Sequence, residues 1–450
     1  MCDIILALPD STKSGKMLFG KNSDRPAGEC QVLHFSDARR AESRKSIKCS
    51  YRDIAETENA LATLGARPYW SWGYETGINE RGVVGGNTAI YTRSLYEEVN
   101  RRDCGLTGME LLRIGLERGN TASKAVEKMT DLLEKYGQWG SAVQGADHEK
   151  GSYDNAYIIA DAKEAWVLES SGRRWVAERI THGTRTLSNE PTIRNSWSRA
   201  CPDLETHVAE LGWYDKKLEK FDFALAYGDH EHYSRQVSHI RCQRTGTLLQ
   251  NVARSIDDTV LKSILRDHYE GTFLSGPQFS QYLPDFLTVC MHDAPSKFTW
   301  GDTATSLVVE INPEDPAHPL IWFAYSPPCM SVYTALPFDS GMPHMVTKTG
   351  QIEAEVLDPS TTPRDQFAED SLWWRLHRLC RYIAEKPNLR HREVRELFDE
   401  IETKHRNQVD EMLNSGETIT VQQRGLLDLC HQNINAVITA INELEHRWTN

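Results

Sequence analysis

Residues 1–26 constrain this chain more than any other stretch. Ile4 to Leu8 is a short apolar run, partly β-branched. Pro9 to Lys16 carries turn chemistry, and Met17 to Phe19 is apolar again. Two apolar runs around such a turn predict a β-hairpin with both strands largely buried. The first strand begins at Cys2, directly after Met1. The second delivers Lys21, Asn22, Asp24 and Arg25 just past its end. A hairpin folds back on itself, so the polar cluster is expected beside Cys2.

Cysteine has a small side chain, so removal of Met1 is the expected processing. It would free an α-amine with an ordinary pKa of about 7.7–8.0. A mostly neutral amine can accept the thiol proton of its own residue, so nucleophile and general base share one residue. The other reading of Cys2 is a buried cysteine opening a core strand.

Met1-Cys2-Asp3, taken with Phe19-Gly-Lys-Asn-Ser-Asp-Arg25, resembles the peptidase C69 (dipeptidase A)/secernin family. That family belongs to the N-terminal-nucleophile hydrolases, related to penicillin V acylases and bile salt hydrolases. The resemblance implies an α+β fold: a four-layer αββα sandwich, here with a C-terminal helical extension. Glu29 and Gln31 also fit its pattern, although a solvated loop explains both.

Arg67 to Asn87 is the second dense block. Tyr69, Trp70 and Trp72 alternate with other residues, which suits a pocket wall or a packing face. Asn79-Glu-Arg-Gly82 reads as a tight turn into the strand Val83-Val84, and Gly85-Gly86-Asn87 ends it. Glycines allow close backbone approach, and an amide beyond them can face a developing oxyanion. The resemblance implies that role for Asn87; a turn asparagine is the plain alternative. The family usually has Glu after this Asn, whereas here Thr88 follows, which bears on substrate contacts more than on chemistry. Trp70, Trp72, Glu75 and Thr88 are the expected substrate-side residues.

The remaining candidates also come from the resemblance. Asn189, before Glu190-Pro191, matches an asparagine that supports the active site in the acylases; an Asx turn is the alternative. An arginine following Gly228-Asp229 points to Arg235, with Arg241 as competitor. Asp24 is expected to hold the Cys2 ammonium, supported by Lys21 and by that arginine. His230 and His232 share a strand face but lack a third ligand, so a solvated loop is expected.

Helices are expected over 106–135 and a strand meander over 151–180, with more strands over 285–335. Residues 1–340 form the expected catalytic domain and 341–369 a linker or surface wrap. Residues 370–450 form a helical extension packed on the core. With 450 residues, 39% of them hydrophobic and 26% charged, the chain can bury a large core. Its net charge of −13 disfavours nucleic acid as a partner. The ten cysteines form no CxxC pair, which argues against a zinc site and a disulfide framework and for a reducing, cytoplasmic setting. No signal peptide or membrane span is expected, no metal and no cofactor. The expected partner is a dipeptide or another small molecule, with a homo-oligomer left open.

The reaction implied is amide hydrolysis through a thioester on Cys2. Two alternatives stand beside it. One is hydrolysis or acyl transfer on a non-peptide N-acyl substrate; the other is a non-catalytic, secernin-like protein associated with exocytosis.

Overall fold

The computed structural model describes the chain except residues 41–44, 98–104, 216, 218–219, 235, 276–279, 281–285, 294–298, 300, 353–355 and 450, and the side chains at 96, 97 and 237. The hairpin forms as expected, from β1 (Cys2–Ala7) and β2 (Met17–Pro26). One detail differs. The second strand does not stop at Phe19 but runs to Pro26, so the polar cluster lies within it. β2 is hydrogen-bonded on both sides, and its main-chain pairing carries it through the charged stretch.

The chain continues through β3 (Gln31–Ser36), β4 (Thr63–Pro68), β5 (Thr76–Asn79) and β6 (Val84–Ile90). Gly82, at φ 72°, makes the turn into β6. Helices α1 (Gly108–Arg118) and α2 (Ala122–Tyr136) follow. Thr107 and Glu110 form a capping box at the start of α1. The meander is β7 (Asp154–Ala160), β8 (Ala165–Ser171) and β9 (Arg174–Ile180), followed by β10 (Thr184–Leu187) and the short β11 (Arg199–Ala200). Then come α3 (Gln236–Asn251), α4 (Asp258–Leu265), β12 (Gly301–Asn312), β13 (Asp315–Tyr325) and β14 (Thr334–Leu336). The chain closes with α5 (Leu372–Glu385), α6 (Pro387–Leu413) and α7 (Ile419–Thr449).

Two large antiparallel sheets result, beside two small two-stranded ones. One has the order β10-β1-β2-β12-β13-β14, the other β11-β9-β8-β7-β6-β5-β4-β3. They face each other, with β1 over β6 and β12 over β3. Helices α1 and α2 cover the outside of the eight-stranded sheet, and α3 and α4 the outside of the six-stranded one. This is the expected four-layer αββα sandwich.

The three last helices pack on one another and on β13 and β14. The segment before them lies across the sandwich: Leu357 N donates to Trp70 O, and Tyr69 Oη to Pro363 O. Glu29 and Gln31 are buried rather than solvated, because Arg25 draws Glu29 inward and Gln31 pairs within the sheet. No described helix is long and apolar enough to cross a membrane.

Candidate active site

Strand alternation sorts the hairpin onto two faces. In β1, Ile4 and Leu6 enter the core between the sheets, while Ile5 and Ala7 enter the core under α3 and α4. In β2, Met17 and Phe19 take the first face and Leu18 the second. The period of two then places Cys2, Lys21, Ser23 and Arg25 between the sheets. Asp3, Asn22 and Asp24 fall on the helix side.

Between the sheets, Glu75 is the hub. Its Oε2 accepts from Lys21 Nζ at 3.2 Å and lies 3.8 Å from Cys2 Sγ. Its Oε1 accepts from Arg25 at 3.0 Å. Lys21 also donates to Ser23 Oγ at 2.6 Å, and Arg25 Nε to Glu29 Oε1 at 2.7 Å. All four charged groups are buried, two of each sign. Burial pushes the Glu75 carboxyl up, but Lys21 and Arg25 outweigh it and hold it below the usual range. Burial also pushes the Cys2 thiol up; Lys21 opposes this and Glu75 adds to it.

Asn87 completes this face. One end of its amide lies 2.8 Å from Glu75 Oε2 and 3.0 Å from Glu75 O. Both are acceptors, so that end is assigned as Nδ2. Gly86 makes room for the lysine, since a Cβ there would sit 2.6 Å from Lys21 Cδ.

On the helix side, Arg241 of α3 is fully buried and pairs with Asp3. It donates to Cys2 O at 3.3 Å and to Asn189 Oδ1 at 2.7 Å. Asn189 Oδ1 also accepts from Cys2 N at 3.0 Å. Asn189 is itself fixed, donating to Ala89 O at 2.8 Å through Nδ2 and to Ser238 Oγ at 2.8 Å through its main chain. Asp24 Oδ1 accepts from Thr303 Oγ1 at 2.7 Å, and its Oδ2 lies 4.0 Å from Arg241. Burial raises the Asp24 carboxyl to about 6; the chain's amine and Arg241 pull it down while Asp3 pushes it up.

The fold thus brings Cys2, Lys21, Glu75 and Asn87 together between the sheets and Asn189 to the Cys2 nitrogen, while Asp24 lies on the helix side. One link differs. No hydrogen bond joins the Asp24 carboxylate to Cys2 N; Asn189 holds that nitrogen. The reason is strand parity, which turns Asp24 toward Thr303 and Arg241. Arg235 lies outside the described residues, and Arg241 is the arginine that reaches Cys2. Trp70 borders the cluster, donating to Glu29 at 3.2 Å. The Trp72 ring lies under Arg113 of α1, its centroid 4.1 Å from the guanidinium carbon. Thr88 Oγ1 is buried beside Asn87 without a hydrogen-bond partner. Sequence reasoning missed the hub role of Glu75 and the Asp3–Arg241 pair; alternation along β1 puts Asp3 on the helix side, but only the docking of α3 brings Arg241 to it.

Met1 lies over the thiol's end of the strand. Its side chain packs on Leu287 and Met291, and its amine donates to Asp24 O at 3.1 Å. A cleft lined by Tyr91, Asn189, Glu190 and Ser238 reaches Asn189 from outside. A second cluster of buried side chains lies elsewhere in the molecule. Cysteine spacing gives no metal-ligand set, yet the fold gathers His268, Cys290, His292 and Cys329.

Among solved structures, the chain is similar to a mutant conjugated bile acid hydrolase from Clostridium perfringens. Identity is 15% over 72% of this chain and 89% of that one, with a TM-score of 0.40. A second variant of that hydrolase gives 17% over the same shares and 0.38. A Caenorhabditis elegans ortholog of N-acylethanolamine-hydrolyzing acid amidase gives 11%, over 68% of this chain and 92% of that one, at 0.33. The profile of peptidase family C69 matches residues 57–355, a span that holds Glu75, Asn87, Asn189 and Arg241, and the chain belongs to that family.

Proposed function

We propose that this chain is a cysteine N-terminal-nucleophile hydrolase that cleaves an amide bond in dipeptides or small peptides through a thioester on Cys2. The observation that carries the proposal is Asn189 Oδ1 at 3.0 Å from Cys2 N. That nitrogen becomes the α-amine once Met1 is removed, and it already has a fixed, buried partner beside the thiol.

In this reading the neutral amine takes the Cys2 thiol proton and Sγ attacks the carbonyl carbon. Burial lowers the pKa of the Met1 amine at this end of the chain. Lys21 favours the thiolate. Asn87 Nδ2 turns from Glu75 to the oxyanion; such a donor is typically worth about 10²–10³ in rate. The ammonium then protonates the leaving amine, and water, deprotonated by the same amine, hydrolyses the thioester. Asn189 and Arg241 are positioning residues that hold the Cys2 backbone. The space Met1 leaves between Leu287 and Met291 would receive an apolar group of the substrate.

Thr88 favours a second reading. Its buried hydroxyl carries no charge to pair with a dipeptide ammonium, which suits an uncharged N-acyl small molecule. Intact mass after incubation with a panel of dipeptides and N-acyl amides separates the readings. The expected result is a chain beginning at Cys2, a transient acyl adduct and release of the amine. Full turnover by protein that retains Met1 would overturn the mechanism.

A further inference from the structure

We propose that His268, Cys290, His292 and Cys329 form a structural zinc site, with two thiolates and two imidazole Nε2 atoms as its ligands. The four come from three separate places: the loop after α4, the segment leading toward β12, and the 3-10 turn Pro328–Met330 after β13. All are buried, and their ligand atoms lie within 4.8 Å of one another.

Three of the six ligand edges match those of a zinc tetrahedron. Zinc bonds of about 2.0–2.1 Å to nitrogen and 2.3 Å to sulfur set ligand edges of about 3.3 Å for N–N and 3.6 Å for N–S. The two Nε2 atoms are 3.1 Å apart, and His292 Nε2 lies 3.6 Å from Cys290 Sγ and 3.2 Å from Cys329 Sγ. Two thiolates and one divalent ion sum to zero, so the loaded site suits a dry interior, with both thiol protons released on binding. Thiolate and imidazole together select zinc over harder cations.

The surrounding shell is also in place. Glu270 Oε1 lies 2.9 Å from His268 Nδ1, which fixes the tautomer that turns Nε2 toward the cluster. Cys290 N donates to Asp267 O, and Arg395 of α6 donates to Cys329 O at 3.2 Å. The cysteines lie far from Cys2 in sequence, but the node reaches its surroundings. Met291, between two ligands, packs on Met1 and pairs with Thr303, which donates to Asp24.

The test is metal analysis of the purified full-length chain, expressed with zinc in the medium and dialysed. About one zinc per chain is expected, retained in Cys2→Ala and lost in Cys329→Ser and His292→Ala. Because those variants could fail to fold, the wild-type chain is also stripped and reloaded with cobalt(II). A thiolate-to-cobalt charge-transfer band with the strong d–d bands of a four-coordinate ion is expected. Three outcomes would overturn the site: wild-type protein without stoichiometric metal, a cobalt spectrum lacking the thiolate band, or a free-thiol count short by one pair, which signals a Cys290–Cys329 disulfide. None of these readouts depends on turnover, so the site and the hydrolase reading fail separately.

Discussion

Lys21 and Asp24 leave the same strand on opposite faces of its sheet. Lys21 meets Glu75 between the sheets, and Asp24 meets Thr303 under the helices. The Cys2 backbone crosses the boundary, with its thiol on the Lys21 side and its carbonyl bound by Arg241. Two charge networks therefore act on one residue, one on the sulfur and one on the nitrogen.

Cys2→Ser is expected to lower kcat by at least 10²-fold while leaving the unfolding midpoint in place. An alcohol is far harder to deprotonate than a thiol, and the volume changes little. Cys30→Ser is expected to retain acyl-enzyme formation. The reverse pattern in a turnover assay would move the nucleophile elsewhere.

Glu75→Gln removes the anion that two buried cations share. Breaking a buried pair from one side typically costs about 3–5 kcal/mol, and urea unfolding should show a loss of that order. Glu75 also pushes the thiol upward, so the variant's Cys2 should react with iodoacetamide at lower pH than wild type. An unchanged profile would mean that Glu75 does not act on the sulfur.

Gly86→Ala drives a methyl against Lys21 Cδ, and overpacking of this kind costs about 1–3 kcal/mol. The lysine must move, so activity should fall with stability. Gly246→Ala in α3 is the control. Its added carbon meets only Thr186 Oγ1, at 3.6 Å, and a helical Gly→Ala change gains about 0.5–1 kcal/mol.

The hairpin was legible because two short apolar runs and a turn leave few alternatives. The helices and the meander followed from periods of 3.6 and 2. Asn87 and Asn189 were legible through resemblance; residue type alone left both as turn asparagines. Parity was available in the sequence but unread: Phe19, Lys21, Ser23 and Arg25 are one stripe, and Asp24 is not on it. His268, Cys290, His292 and Cys329 could not be grouped from spacing, because the loops that unite them are joined only by packing of α4, β12 and β13. Arg241 needed the same long-range information, since only the docking of α3 on β1 and β10 brings it to Cys2.

Asp24→Asn tests the network on the nitrogen side. The folded carboxyl is raised from its ordinary 3.8 to about 6, chiefly by burial. A raised carboxyl binds its proton more tightly in the folded state, so wild type should lose stability as pH climbs from about 4 to 6. The loss is about 2 kcal/mol by linkage, and Asp24→Asn should lack this slope. Asp3, Arg241 and the chain's amine face the same carboxyl and set its midpoint. Above pH 6 the ionised Asp24 favours a protonated amine. Its removal should therefore move the acidic limb of the kcat/KM profile down by about one pH unit, with kcat reduced. Stability and rate profiles measured over the same pH range decide the matter. A vanished stability slope with an unmoved acidic limb would leave Asp24 as a buried structural acid bonded to Thr303, with Asn189 alone controlling the Cys2 nitrogen.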